Sequence, residues 1–206
     1  MHLNTVIIDD FFDRPMDVRK QVLSMSYPTR PDGAYYPGRN AAQAFPMPGI
    51  ENLVSSIVKE PLTPVPYPKS SHCYPRIAME GDARGSSVHV DFCHWSGIIY
   101  LTLDEHCQGG THIFSHKETG WDTAPVWPGM AEAAGYKNSD EALQTILKND
   151  GNDRSKWIET MMVPMKFNRL ILFRGYIWHD AGVSFGSTIE DGRVIIPIFF
   201  ENTNPS

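Results

Sequence analysis

In Ser87-Val88-His89-Val90-Asp91-Phe92 apolar and polar residues alternate. That is the pattern of a β-strand, in which successive side chains face opposite ways. On such a strand His89 and Asp91 share one face, roughly 6–7 Å apart. Val88, Val90 and Phe92 take the other face, where apolar packing holds the strand still. An imidazole and a carboxylate side by side on a rigid element are two of the three protein ligands of a facial iron site. The third has to come from a distant segment, and His179 is the nominee. It follows the apolar strand Arg169–Phe173, whose end delivers it.

Two more residues have the chemistry to serve that site. Arg193 opens the near-continuous apolar strand Val194-Ile195-Ile196-Pro197-Ile198-Phe199-Phe200. A guanidinium buried there is costly without an anion, and its planar fork pairs with a carboxylate through two hydrogen bonds. On the stretch Gly97–Leu103, Tyr100 and Thr102 share the face opposite Ile99, Leu101 and Leu103, so the Tyr100 hydroxyl suits the same anion. Plainer readings exist for each residue. Arg193 pairs with Glu190 or Asp191 in a surface turn, Tyr100 is packing, and a single histidine is an ordinary hydrogen-bonded residue. His94, His106, His112 and His116 are read as solvated or as neighbours of the site, and Cys93 and Cys107 as buried thiols.

The positioning elements follow from the pattern of the chain. Leu3–Ile8 reads as a strand. A helix starts at Asp13 and Pro15 and runs to about Met25. Tyr27–Pro48, rich in Pro, Gly and Tyr, is a long loop of the kind that is usually functional or flexible. A second helix spans Gly49–Glu60, and Pro61, Pro64, Pro66 and Pro68 impose an extended linker. Strands are expected at Cys73–Met79, Ser87–Phe92, Gly97–Leu103 and Gly110–Phe114. A helix over Ser139–Lys148, with Ser139 as N-cap, interrupts them inside an insert at about 116–160. Strands resume at Thr160–Lys166, Arg169–Phe173, Val183–Phe185 and Arg193–Glu201. Helices first, then many short strands with turns between them, suggest an α+β class and a sandwich or open barrel; a jelly-roll, cupin-like barrel is the architecture this site would need. Its mouth lets side chains from distant strands converge.

Length and composition narrow the rest. The 206 residues suit one domain with a full core, here 1–206, divided into 1–69 (helices and loop) and 70–201 (β-core with insert). A net charge of −6 offers no basic footprint for nucleic acid. No apolar run is long enough for a transmembrane helix, and the start lacks a secretory signal pattern. Three cysteines, Cys73, Cys93 and Cys107, form no disulfide framework or zinc clip. A reducing cytoplasm is the expected setting.

As an ordered set these residues resemble the Fe(II)- and 2-oxoglutarate-dependent oxygenases, prolyl-hydroxylase-like members in particular, with a double-stranded β-helix core. His89-x-Asp91 matches their proximal ligand pair and His179 their distal ligand. Arg193 matches the residue that holds the distal carboxylate of 2-oxoglutarate, which Tyr100 on Ile99-Tyr100-Leu101-Thr102 also binds. Gly109-Gly110-Thr111-His112-Ile113-Phe114 resembles their Gly-Gly strand. The likeness covers about residues 70–201; residues 1–69 are similar to the N-terminal part of a poorly characterised group of small members. The stretch from Asp91 to His179 is longer than in many members, because of the insert. The resemblance implies Fe(II), 2-oxoglutarate and O₂, and hydroxylation of a small-molecule, amino-acid or peptidyl substrate. Asp91 stands where related halogenases carry a small residue, which favours hydroxylation over halogenation. Tyr36 and Arg39 on the long loop, Arg84, Trp95 and Trp178 are candidate substrate contacts. Two other readings remain: a zinc or manganese hydrolase using His89, Asp91 and His94, which leaves Arg193 and Tyr100 without a role, and a non-catalytic carboxylate-binding barrel.

Overall fold

The structure, a computed structural model, describes residues 3–30, 33, 36–82 and 87–203. In chain order the elements are β1 (Thr5–Ile8), α1 (Pro15–Leu23), β2 (Arg39–Asn40), α2 (Ile50–Val58), β3 (Leu62–Pro64) and β4 (Arg76–Ala78). Then come β5 (Trp95–Tyr100), β6 (Gly110–His116), α3 (Met130–Ala133), α4 (Ser139–Asp150), β7 (Trp157–Pro164), β8 (Leu170–Arg174), β9 (His179–Asp180) and β10 (Arg193–Asn202). The chain is mostly antiparallel β-structure with few helices. None of the described helices is long and apolar enough to cross a membrane.

The strands form two sheets. The larger is seven-stranded in the order β1-β8-β5-β10-β4-β2, with β3 also on β10; the smaller is β7-β6-β9. Among the described residues the pairings keep the two antiparallel sheets separate, and no closed barrel joins them.

β10 is central because it is apolar on both faces. One face, Val194, Ile196, Ile198 and Phe200, packs with Trp95, Ile99, Leu101, Leu170 and Leu172 beneath α1 and α2, which add Val22, Ile50, Val54 and Val58. The opposite face carries Ile195, which packs with Tyr100, Ile171 and Phe173, and with Val163, Met165 and Phe185 from the other side. A third cluster docks α4 through Leu143 and Ile146 onto Val88, Val90, Phe114, Trp157 and Trp178. Burial of each such side chain contributes about 1.5–3 kcal/mol.

Several expectations change. Ser87–Phe92 is an extended segment with one bridge, His89 to His179, not a strand, and Phe92 is 76% exposed rather than packed. Its backbone is tied to three places instead of one neighbour: Val88 N–H to Gly151, His89 reciprocally to His179, and Asp91 N–H to Gly175. The proline linker contains β3, which pairs Leu62–Pro64 with Phe200–Asn202. The strand expected at Val183–Phe185 lies earlier, at β9, because Gly182 turns the chain with φ +72° and Asp180 Oδ1 caps its N–H. The cap of α4 is Asn138, whose side chain accepts from Glu141 N–H at 2.9 Å, not Ser139.

Candidate metal centre

His89 and Asp91 sit on the tethered segment and His179 opens β9; the reciprocal backbone bonds between 89 and 179, both 2.9 Å, bring them together. His179 Nε2 lies 3.3 Å from Asp91 Oδ2, and His89 Nε2 lies 4.0 Å from Asp91 Oδ1. The imidazole centroids are 4.4 Å apart. One ligand atom from each residue falls within 4.8 Å of the other two, and this is the cluster of its kind among the described residues.

The two histidines are oriented by the same local device. His89 Nδ1 meets the Ser87 carbonyl at 2.9 Å, and His179 Nδ1 meets the Ile177 carbonyl at 2.8 Å. A carbonyl only accepts, so each Nδ1 carries a proton and each Nε2 is turned to the shared point. Phe173 packs edge-on against His179, centroids 4.6 Å apart. Ser96 on β5 donates to Asp91 Oδ2.

Electrostatics suit a cation. Burial works against a charge on Asp91, but His179, His89 and Ser96 outweigh it and hold the carboxyl well below the usual range. Burial, aided by His179, keeps His89 below its ordinary value and hence neutral. For His179 burial also opposes the charge, but the Asp91 carboxylate prevails and raises it.

Behind the triad, Arg193 is 2% exposed and its Nη2 is buried without a hydrogen-bond partner. Burial lowers its pKa, with Tyr100 and Asp180 acting against that. Its burial excludes the surface-turn pairing: Asp191 instead accepts from Ser187 and Thr188. Tyr100 is wholly buried and its hydroxyl lies 2.6 Å from Thr111 Oγ1 on β6. Register puts Tyr100 opposite Ile195, so Arg193, two residues along β10, shares its face. Two glycines allow the close approaches. A Cβ at Gly110 would lie 1.9 Å from the Val163 carbonyl oxygen, and one at Gly175 2.3 Å from that of Cys93, just past Asp91.

A family of unknown function, DUF6445, matches residues 82–200. The chain belongs to this family. No curated protein sequence matches this DUF6445 chain. In fold it is similar to HygX from Streptomyces hygroscopicus, whose crystal structure has nickel and 2-oxoglutarate bound. The TM-score is 0.54 at 11% identity, over 97% of this chain and 83% of that one. At that identity the likeness is one of fold alone.

Of the candidate substrate contacts in the DUF6445 chain, Tyr36 stacks on Arg76 and Arg39 lies on β2 beside it. Arg84 lies outside the described residues. Trp95 and Trp178 are corrected: both are fully buried. Trp95 faces the helix side, where its Nε1 donates to Glu60 and Arg174 stacks on its ring. Trp178 packs with Trp157 under α4. Among the described residues no other histidine joins the cluster: His94 bonds Glu60, His112 bonds Glu159 and His116 bonds Asp150. That removes His94 from the hydrolase set.

Sequence reasoning missed Ser96, Thr111, Asp180 and Arg76. Ser96 was findable, because it shares a strand face with Tyr100. So was Arg76, an arginine heading an apolar strand like Arg193. Asp180, whose Oδ2 accepts from Arg154 Nη1 at 2.5 Å, gave no signal of its own.

Proposed function

We propose that this chain is a non-haem Fe(II) dioxygenase that couples oxidative decarboxylation of 2-oxoglutarate to hydroxylation of a C–H bond in a small-molecule, amino-acid or peptidyl substrate. The observation that carries the reading is the pairing of a His-Asp-His cluster with a buried, unpartnered guanidinium on the same side of the sheet. Each half fits what it would hold. Two imidazole Nε2 atoms and one carboxylate suit a divalent transition metal. An orphaned Arg193 Nη2 beside a buried Tyr100 hydroxyl suits a carboxylate. On this reading the fold is a double-stranded β-helix in one domain, and the chain acts in the cytoplasm without nucleic acid.

His89, Asp91 and His179 would hold the iron, which with 2-oxoglutarate and O₂ supplies the oxidising chemistry. The rest falls to the protein. Ser87 and Ile177 carbonyls fix the imidazole tautomers, Ser96 orients the Asp91 carboxylate, and Arg193 with Tyr100 binds the far carboxylate of the keto acid. The apolar side chains between them, Ile195 and Phe173, exclude water from the groups that carry charge.

Succinate formation from 2-oxoglutarate, measured with Fe(II) under air, tests the reading. His89→Ala or Asp91→Ala should abolish it, and unchanged turnover would remove the metal assignment. Arg193→Gln should leave metal binding intact and raise the 2-oxoglutarate Kd about tenfold or more, the scale of a lost charge-assisted pair. Level affinity would show the clamp misplaced. Zinc-only activity without keto acid would favour the hydrolase reading.

A further inference from the structure

A second guanidinium faces the same interior. Arg76 on β4 lies opposite Ile195 of β10, just as Tyr100 of β5 does from the other side. Neighbours in register share a face, so Tyr100, Ile195 and Arg76 form one row across the sheet, with Arg193 two residues further along. Tyr100 therefore flanks Ile195 on one side and Arg76 on the other. Ser96, on the same face of β5 as Tyr100, donates to Asp91. This face of the sheet therefore carries Arg76, Arg193 and the partner of the metal cluster, and the charges of Arg193 and Asp91 both reach Arg76.

Arg76 is braced as a binding group would be. Its Nε donates to Asn40 Oδ1 at 2.7 Å and its Nη2 to Ser71 Oγ at 3.1 Å. The Tyr36 ring covers the guanidinium at 4.1 Å, and Tyr36 is itself held through its carbonyl by Arg30 Nη1 at 2.7 Å. All these partners are neutral, and none of the described carboxylates pairs with Arg76. Its Nη1 is left over. Burial and Arg193 oppose its charge, with Tyr36 and Asp91 acting the other way, and two guanidinium groups on one face, neither ion-paired with a described carboxylate, suit anions. The keto acid supplies one, for Arg193.

We propose that Arg76, braced by Asn40, Ser71 and Tyr36, binds a carboxylate of the substrate beside the metal cluster. The substrate class is then a carboxylic acid, an amino acid or a peptide with a free or side-chain carboxylate. This rests on the oxygenase reading, and it turns part of the long loop, Tyr36 to Asn40, into the wall that sets substrate choice.

The test uses the full chain loaded with Mn(II), a paramagnetic stand-in, and saturated with 2-oxoglutarate. The probes are acetate and its neutral isostere acetamide. Acetate methyl protons should relax strongly in the presence of the protein and acetamide protons should not. Arg76→Gln should weaken acetate binding about tenfold or more, leave the 2-oxoglutarate Kd within about twofold, and Arg76→Lys should restore part of the acetate effect. Equal relaxation of both probes, or acetate relaxation that survives Arg76→Gln, would overturn the proposal. So would a loss of 2-oxoglutarate affinity in a folded Arg76→Gln matching that of Arg193→Gln, which would make Arg76 part of the keto-acid clamp. Equal relaxation in the wild type overturns the proposal without any variant, and the loss in Arg76→Gln is what separates Arg76 from direct ligation of the metal. Failure of Mn(II) to relax 2-oxoglutarate protons in the wild type would sink the oxygenase reading itself, a separate outcome.

Discussion

Asp91 has two oxygens and several claims on them. His179 Nε2 stands 3.3 Å from Oδ2, and Ser96 Oγ donates to the same atom. The serine fixes the rotation of the carboxylate before any cation arrives, and such outer partners typically govern metal affinity 10–100-fold. Ser96→Ala should therefore weaken metal binding by about tenfold or more while leaving the fold intact. Isothermal titration with Mn(II), alongside a thermal melt of the apo chain, checks it; wild-type affinity would mean the carboxylate is held by the histidines alone. Ser96 is almost wholly buried, so the melt separates a lost orientation from a lost core contact.

At the scale of elements, the insert supports the centre from outside. α4 lays Leu143 and Ile146 against Val88 and Val90, the residues flanking His89. Gly151 just beyond α4 accepts from Val88 N–H at 2.9 Å. The ligand segment lacks a ladder of its own, so this helix replaces a strand neighbour. Ile146→Ala should cost about 2–4 kcal/mol of stability, measured by denaturant unfolding, and should weaken Mn(II) binding as well. A stability loss without any change in metal affinity would mean that the backbone bonds of residues 88, 89 and 91 suffice.

At the scale of the whole molecule, an ionic cluster on the helix side of the large sheet ties α2 to β5 and β8. Glu60, just past α2, accepts from Arg174 of β8 through both oxygens, and from Trp95 Nε1 at 3.0 Å, with His94 Nε2 at 2.6 Å. Burial opposes the Glu60 charge, but Arg174 foremost, with Trp95 and His94, brings its pKa down to about 2 from 4.5. A folded value below the unfolded one stabilises the native state fully above the unfolded pKa and is lost as pH falls through the folded one. Stability should thus decline between about pH 5 and pH 2, and Glu60→Gln should flatten that slope. At neutral pH the variant should lose ~2–3 kcal/mol, allowing for the quarter of the Glu60 side chain that solvent reaches, since it strands a buried guanidinium. Urea unfolding across that pH range gives both results; a slope unchanged by the substitution would clear Glu60 of the effect.

How much of this was legible beforehand depends on whether a feature is local. Alternation, an arginine heading an apolar run, and a glycine pair are written in adjacent residues. They identified the three clustered side chains, the Arg193–Tyr100 pair and most elements to within a few positions. Register is not local. That residue 89 bridges residue 179, that Arg76 lines up with Tyr100 across Ile195, and that Trp95 turns to the helices while Ser96 turns to Asp91 depend on which strands pair and where. Those choices are set by burial summed over β10 and its neighbours, which no single window contains. The same physics undid the strand at 87–92: its alternation is real, but a strand needs a partner along its length, and packing offered it one bridge and a helix.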